Sequence, residues 1–227
     1  MIPLVLLPGM MCDARQWGPQ CDSLLPRPIV ALPPPDLDTM QEMAAHLLGQ
    51  LPPRFALAGL SMGGILAMEM VRQAPDRVDR LALLDTNPLA ETDAVRARRA
   101  PQIARVLAGD LAGVMRDGMK PNYLARHDAA LLDLCLDMAV SLGPSYFVSQ
   151  SRALASRPDQ TATLAAWRGP ALVLTGAQDT LCPRDRHDLM HGLMPQSRLV
   201  VVPDAGHLPP LEQPQATTAA LIRWLED

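Results

Sequence analysis

The sequence predicts an α/β protein with a mostly parallel sheet of about six strands flanked by helices. Short apolar runs rich in Val, Leu and Ile alternate with stretches of helical period, and several runs are apolar at successive residues, as in strands buried on both faces. Strands separated by helices favour parallel pairing with right-handed crossovers. The 227 residues, 48% hydrophobic and 19% charged, suit one domain with a substantial core and exclude a disordered chain.

The candidate strands are bounded by Pro or Gly, and they are residues 2–7, 29–32, 55–60, 81–84, 171–175 and 199–202. Thr39-Met-Gln-Glu42 is a capping box followed by apolar residues at i, i+3 and i+4 spacing, which predicts a helix over 40–51. Asp13-Ala-Arg-Gln16 is a weaker cap of the same kind. Pro183 and Pro214 suit the first turns of two later helices.

One interval departs from the alternation. Residues 86–168 contain no strand candidate over 83 residues, although a crossover needs only about a dozen. The pattern there is helical, notably over 129–140 and 145–156. We therefore expect residues 1–85 and 169–227 to form the core and residues 86–168 to form an inserted helical lid over the carboxyl edge of the sheet, with a second independent domain as the alternative.

Composition narrows the classes of partner. A net charge of −4 without a basic stripe does not favour nucleic-acid binding, and 3% aromatic residues leave few side chains on which bases could stack. We therefore expect no nucleic-acid partner. No apolar run approaches the roughly 18–20 residues that span a bilayer, and the first residues lack a signal-peptide pattern. The cysteines (Cys12, Cys21, Cys135 and Cys182) form no C-x-x-C pair. We expect no structural metal, and reduced thiols in a cytoplasmic protein.

A candidate nucleophile lies at the end of the third predicted strand. Gly59-Leu-Ser61-Met-Gly63 is a G-x-S-x-G motif with a strand before it and a helix-period stretch after it. This strand–turn–helix setting is the one that a nucleophile elbow requires. The flanking glycines suit a turn too tight for larger side chains, and the following helix aims its N-terminal N–H groups at the site. A simple turn serine is the alternative.

Two polar residues follow later strands in the same way. Asp179 lies just after strand 171–175, and His207 lies just after strand 199–202. Side chains at carboxyl ends of parallel strands gather at one edge, and a serine needs both a base and an acid that orients it. Helix capping by Asp179 and packing by His207 are the structural alternatives. Asp85, at another strand end, is the rival acid, although its surroundings are also typical of a turn. We expect the remaining histidines to be solvated: His46, His127, His187 and His191.

Five segments, in order, resemble landmarks of the α/β-hydrolase superfamily, and the resemblance covers essentially the whole chain. They are Leu-Pro-Gly-Met over 7–10, the motif over 59–63, Ala-Pro-Asp-Arg-Val over 74–78, Gly-Ala-Gln-Asp over 176–179 and Ala-Gly-His over 205–207. The resemblance implies a triad of Ser61, Asp179 and His207. It also implies an oxyanion hole made by the backbone N–H groups of Met62, after the nucleophile, and Met10, in the loop after the first strand.

The resemblance implies a serine hydrolase that cleaves a carboxylic ester or related acyl substrate through an acyl-enzyme, without a cofactor. Serine at the elbow argues against the superfamily's haloalkane dehalogenases and epoxide hydrolases, which use Asp there. A thioesterase, a C–C hydrolase, a lactonase, a transacylase and a perhydrolase remain compatible with the same residues. So do a non-catalytic ligand receptor and a lyase on the same fold.

Residues 86–168 are also the expected source of substrate contacts. They carry ten Lys and Arg against eight acids, so this interval is +2 and the remainder of the chain is −6. Tyr123, Tyr146 and Arg152 are the candidates, with Arg152 able to anchor a substrate carboxylate by bidentate pairing. Solvated surface charge is the alternative for most of these cations. The expected partner is a small acyl molecule, and the sequence leaves the oligomeric state open.

Overall fold

The computed structural model describes residues 1–119 and 122–227. Within these ranges, six strands form a single sheet in which every pairing is parallel, which confirms the predicted fold class. The strands are β1 (Leu4–Leu7), β2 (Ile29–Ala31), β3 (Phe55–Leu60), β4 (Val78–Leu84), β5 (Ala171–Gly176) and β6 (Arg198–Val202). β4 begins three residues before the prediction, because Asp79 and Arg80 interrupt the apolar run without interrupting the strand.

The sheet has the order β2-β1-β3-β4-β5-β6. The chain moves outward from β1 to β2 and then returns past β1 to β3, so the direction of winding reverses between β1 and β3. Leu7 at the end of β1 pairs with Gly59 near the end of β3. In open parallel sheets, ligands bind outside the carboxyl ends of the strands at such a reversal. The loops after β1 and β3 therefore meet where a site is expected.

Helices cover both faces of the sheet. They are α1 (Gly18–Ser23), α2 (Met40–Gln50), α3 (Met62–Gln73), α4 (Asp93–Leu107), α5 (Leu111–Gly113), α6 (Ala129–Leu142), α7 (Pro144–Ala155), α8 (Thr161–Ala166), α9 (Arg184–Leu193), α10 (Pro209–Glu212) and α11 (Pro214–Glu226). Short 3-10 turns span Ala14–Trp17 and Pro75–Arg77, and a π-helical turn spans Val114–Met119. The predicted cap of α2 is present, since Thr39 Oγ1 accepts the N–H of Glu42 at 3.1 Å.

Alternate side chains of the strands enter two separate apolar layers. Val5 and Leu7 pack with α2 and α3 on one face, whereas Leu4 and Leu6 pack with Trp17 and α11 on the other. All four strand residues are fully buried. This burial on both faces explains why the strands are apolar at successive positions rather than at every second one.

The described part of residues 86–168 contains helices and no strand. Part of it has a small core of its own, in which Val106 and Phe147 belong to the same apolar cluster as Met11 from the loop after β1. α7 also returns to the main body, because Ala153 and Leu154 join the layer that holds α3. The inserted helices are thus packed directly against the loop that follows the first strand.

Among the described residues, no single helix is long and apolar enough to cross a membrane. α6 and α7 reach that length and hydropathy only when taken together, and they bend by 96° at the break between them.

Candidate active site

Ser61 occupies a sharp turn between β3 and α3. Its backbone has φ 54° and ψ −117°, a region that residues other than glycine enter at a cost of about 1–3 kcal/mol. Its N–H donates to the Leu84 carbonyl at 2.9 Å, and its own carbonyl accepts the Thr86 hydroxyl at 2.7 Å. The end of β4 therefore holds Ser61 in this conformation from both sides.

Two glycines of the motif are required by close backbone approach. A Cβ at Gly59 would lie 2.2 Å from the carbonyl oxygen of Gly63, and a Cβ at Gly63 would lie 2.1 Å from the carbonyl oxygen of Leu7. Real Cβ atoms do not approach backbone so closely. The G-x-S-x-G pattern is thus explained by the packing of the turn on itself and on the end of β1.

Asp179 and His207 are joined by a buried hydrogen bond. Nδ1–H of His207 donates to Oδ2 of Asp179 at 2.9 Å, and the two residues are 4% and 8% exposed. The other carboxylate oxygen of Asp179 accepts the N–H groups of Leu181 at 2.8 Å and Cys182 at 3.2 Å. Although burial alone would raise it, these hydrogen bonds, that from His207 foremost, lower the pKa of Asp179 below its ordinary value.

The strands explain why these two residues meet. β5 and β6 are adjacent, and their following loops are bonded to each other, since Gln178 N–H donates to the Ala205 carbonyl at 2.9 Å. The backbone N–H of His207 donates to the Tyr123 carbonyl at 2.7 Å. His207 is therefore fixed by the sheet on one side and by the inserted helical segment on the other.

The loop after β1 is held in place by two buried glutamines. Gln16 Oε1 accepts the N–H of Gly9 at 2.8 Å, and Gln150 Oε1 accepts the N–H of Met11 at 2.8 Å. Both glutamines are fully buried. These bonds anchor the residues on either side of Met10. Gln16 was expected only as part of a helix cap, but its side chain reaches the loop instead.

A small apolar cavity lies between these elements. Its volume is about 120 Å³, and Ser61 and His207 both line it. The remaining lining residues are Gly9, Met10, Cys12, Leu60, Tyr123, Leu154, Leu181 and Leu208. Burial raises the pKa of the Cys12 thiol, which keeps it protonated as part of the apolar wall. Of the three residues expected to contact substrate, the structure places Tyr123 here.

The other two expected contacts lie elsewhere. Tyr146 packs against the small core of the inserted segment. Arg152 lies on the surface, where its guanidinium donates to Asp38 Oδ2 at 2.8 Å with both side chains more than half exposed. Neither lines the cavity beside Ser61. Their helical positions gave no way to distinguish an inward side chain from one that faces solvent.

Two polar residues near the site are fully buried. Asp85 follows β4 in a bend with φ 42°, where a turn-making aspartate was expected, and its Oδ1 accepts the Gly176 N–H at 2.8 Å. His187 is also fully buried, so the expectation that it is solvated was wrong. Its Nε2 accepts the Thr86 N–H at 3.3 Å, and burial lowers the pKa of His187 to about 4, so the ring is neutral.

Asp179, Cys182 and His207 each place one potential metal ligand within 4.8 Å of the others. Asp179 Oδ2 and His207 Nδ1 are already engaged in their mutual hydrogen bond. Burial raises the pKa of Cys182, so its sulfur is a thiol rather than the thiolate that metals prefer. We therefore assign the first two groups to the Asp–His hydrogen bond.

Comparison with known proteins identifies the family. A model of the alpha/beta hydrolase family matches residues 4–221, so the chain belongs to that family, and the expected class, a hydrolase, is confirmed. It is 28% identical over 242 residues to the pimeloyl-acyl-carrier-protein methyl ester esterase of Pectobacterium carotovorum, which covers 98% of this chain and 94% of that protein. A thermophilic esterase from Thermogutta terrifontis has a similar structure, with a TM-score of 0.89 and 30% identity over 100% of this chain and 90% of that one.

A bifunctional biotin biosynthesis protein, BioHC, of Cellvibrio japonicus is also 28% identical, over 239 residues and 98% of this chain. The chain spans about half the length of that relative, 47%.

The sequence analysis did not identify the polar residues whose side chains hydrogen-bond to the backbone of the loops around the site. They are Gln16, Thr86, Gln150, His187 and Glu212. Each is a polar residue that the fold buries or half-buries next to a strand end. Nothing in the sequence distinguishes such residues from exposed ones, because their partners are peptide groups distant along the chain.

Proposed function

We propose that this protein is a serine carboxylester hydrolase whose triad is Ser61, His207 and Asp179. The observation that carries the proposal is the strained turn that presents Ser61 to the same small cavity as His207, which is itself bonded to Asp179. A serine becomes a useful nucleophile when a neutral histidine can take its proton and a carboxylate orients that histidine.

The chemistry follows from this arrangement. Ser61 Oγ attacks the ester carbonyl while His207 Nε2 accepts its proton, and the alcohol leaves with a proton returned by His207. Asp179 holds the ring and stabilises the imidazolium. The N–H groups of Met10 and Met62 bind the oxyanion, each commonly worth about 3–4 kcal/mol in the transition state. Water then releases the acid from the acyl-enzyme.

The relatives support an ester rather than a thioester or a C–C bond, because two of them are named as esterases. The volume of the cavity indicates that the part of the ester that enters it is small. An apolar cavity of 150 Å³ holds a benzene ring, and this one is about 120 Å³. The methyl ester named for one relative is compatible with such a space. Residues 86–168 would form the lid, since Tyr123 and Leu154 come from that segment.

A fluorophosphonate probe tests the nucleophile directly. The wild type should form one covalent adduct, detected by intact-mass spectrometry, and should hydrolyse p-nitrophenyl acetate. The Ser61→Ala variant should do neither, whereas the Ser23→Ala variant, which removes an exposed serine outside the site, should behave as the wild type. A folded wild type without an adduct, or an adduct that persists in Ser61→Ala, would refute the assignment. Labelling without ester turnover would favour a receptor.

A further inference from the structure

Asp85 is held rigidly beside the acid of the proposed triad. It directly follows β4, its N–H donates to the Leu174 carbonyl at 3.0 Å, and its Oδ1 accepts the Gly176 N–H at 2.8 Å. It is 0% exposed. Because β4 and β5 are adjacent, this places the carboxyl group of Asp85 against the loop that carries Asp179.

The surroundings of Oδ2, the second carboxyl oxygen of Asp85, indicate the protonation state of this residue. Among the described residues, no donor bonds to Oδ2, which is buried, and an ionised carboxylate with an unsatisfied buried oxygen is costly. Asp85 is bound to the turn that carries Asp179, because its Oδ1 accepts the Gly176 N–H at 2.8 Å and the Gly176 carbonyl accepts the Asp179 N–H at 3.2 Å. A side-chain hydrogen bond with Asp179 is among the influences that raise the pKa of Asp85. Two carboxyl groups can share a hydrogen bond only if one keeps its proton, and two so close in a buried site do not both ionise.

The proton belongs to Asp85. Asp179 accepts hydrogen bonds from His207 and from two backbone N–H groups, all of which stabilise its charge. Asp85 accepts one good bond, from Gly176, and a long one of 3.4 Å from Thr175. Burial first, and then the charge of Asp179, raise the pKa of Asp85 well above its ordinary value.

We propose that Asp85 is a positioning residue of this site: a neutral, buried carboxylic acid that donates a hydrogen bond to Asp179 and fixes its carboxylate against His207. This inference rests on the proposed function for its catalytic consequence but not for its structure. The other ionisable groups near the pair are Glu212, the Cys182 thiol and the neutral His187 ring.

The expected consequence is that the Asp179 carboxylate becomes a weaker base. A hydrogen bond from Asp85 draws electron density from Asp179 and weakens its attraction for the proton on His207. Without that bond, Asp179 holds the histidine proton more tightly, so the base becomes available only at higher pH. An amide at position 85 would preserve the bond, because it offers an N–H where the acid offers an O–H and keeps an oxygen for Gly176.

The kinetic test compares Asp85→Asn, Asp85→Ala and the exposed control Asp22→Asn, using the pH dependence of kcat/KM on p-nitrophenyl acetate. Asp85→Ala should move the acidic limb to higher pH and lower kcat about tenfold, the usual effect of losing a hydrogen bond to a charged group. Asp85→Asn should leave the limb in place. A limb moved to lower pH in Asp85→Asn would show an ionised Asp85, and an unmoved limb in Asp85→Ala would show a purely structural residue. Either result overturns the proposal.

A second measurement does not depend on activity. Infrared spectroscopy at neutral pH should show the carbonyl stretch of a neutral carboxylic acid in the wild type and in Asp22→Asn, and its loss in Asp85→Asn. A wild type without this band overturns the proposal even if Asp85→Ala fails to fold. If the band is present but no ester is hydrolysed, the proposed function fails and the assignment of the proton stands.

Discussion

The carboxylate of Glu212 accepts hydrogen bonds from the backbone N–H groups of the two residues that flank His207. Its Oε1 lies 2.9 Å from the N of Gly206 and 3.0 Å from the N of Leu208, and its Oε2 accepts the N–H of Ala125 at 2.7 Å. One side chain on α10 therefore ties the loop of the proposed base to the inserted helical segment. Charge-assisted bonds of this kind are about twice as strong as neutral ones.

Glu212→Ala should leave these three N–H groups without their acceptor. We expect the free energy of unfolding to fall by about 2–3 kcal/mol and kcat to fall more than KM rises, because the loop of His207 loosens. Urea unfolding and steady-state kinetics measure the two effects. Glu226→Ala, which removes an exposed acid from α11, should change neither. Equal stability of the two variants would contradict the role of Glu212.

The choice of the triad acid is tested by two matched amides. Removing an orienting carboxylate leaves the wrong histidine tautomer and costs up to about 10⁴ in kcat. We therefore expect Asp179→Asn to lower kcat by several orders of magnitude. Asp85→Asn should cost tenfold at most, because its amide still donates to Asp179. Steady-state measurements of kcat on folded variants of similar Tm show which variant loses more activity. A larger loss of kcat in Asp85→Asn than in Asp179→Asn would make Asp85 the acid.

These two aspartates show what the sequence can and cannot predict. Position at a strand end placed both at the catalytic edge, because parallel strands align their carboxyl ends regardless of what the intervening helices do. Which of them contacts His207 depends on the order of strands in the sheet. The spacing favoured Asp179, because one strand–helix–strand unit separates it from His207, and β5 and β6 are adjacent. The residues after Asp85 are typical of a turn, and such a local pattern does not show that the fold buries Asp85.

Arg152 illustrates the limit for side chains on the inserted helices. Its position in a helical stretch was predicted, since residues 145–156 nearly coincide with α7. The helix has buried residues at many of its positions, so the pattern did not define a single solvent face. Local periodicity predicts that a helix forms, whereas the direction of one side chain depends on packing against distant segments such as the one that carries Asp38.

Leu154 should limit the size of the group that enters the cavity. It is 6% exposed and lines the space beside Ser61. Leu154→Ala should raise kcat/KM for p-nitrophenyl hexanoate relative to the acetate, because the cavity gains volume. Leu164→Ala removes an equally large side chain from the same apolar layer but not from the cavity wall. Leu164→Ala should lower Tm as Leu154→Ala does, without changing the ratio of kcat/KM for the hexanoate to kcat/KM for the acetate.

The surface variant Arg152→Ala completes that comparison and should leave both the ratio and Tm unchanged, since exposed ion pairs contribute little. A change in chain-length preference in Arg152→Ala, or the same preference in all three variants, would contradict the assignment of the cavity.

His187 should make folding sensitive to acid. Burial lowers its pKa from 6.5 to about 4. Between pH 6.5 and pH 4, His187 is therefore protonated in the unfolded chain and neutral in the folded chain. The contribution of this residue to the free energy of unfolding is therefore complete above pH 6.5 and is lost as the pH falls towards 4, a difference of about 3 kcal/mol.

The variant His187→Gln tests this dependence, because glutamine can still accept the Thr86 N–H but cannot be protonated. Urea unfolding from pH 7 to pH 4.5 should show a shallower loss of stability in His187→Gln than in the wild type, by up to about 1.4 kcal/mol per pH unit. His127→Gln, which removes an exposed histidine, should follow the wild type, and parallel curves for all three proteins would mean that His187 is not buried in its neutral form.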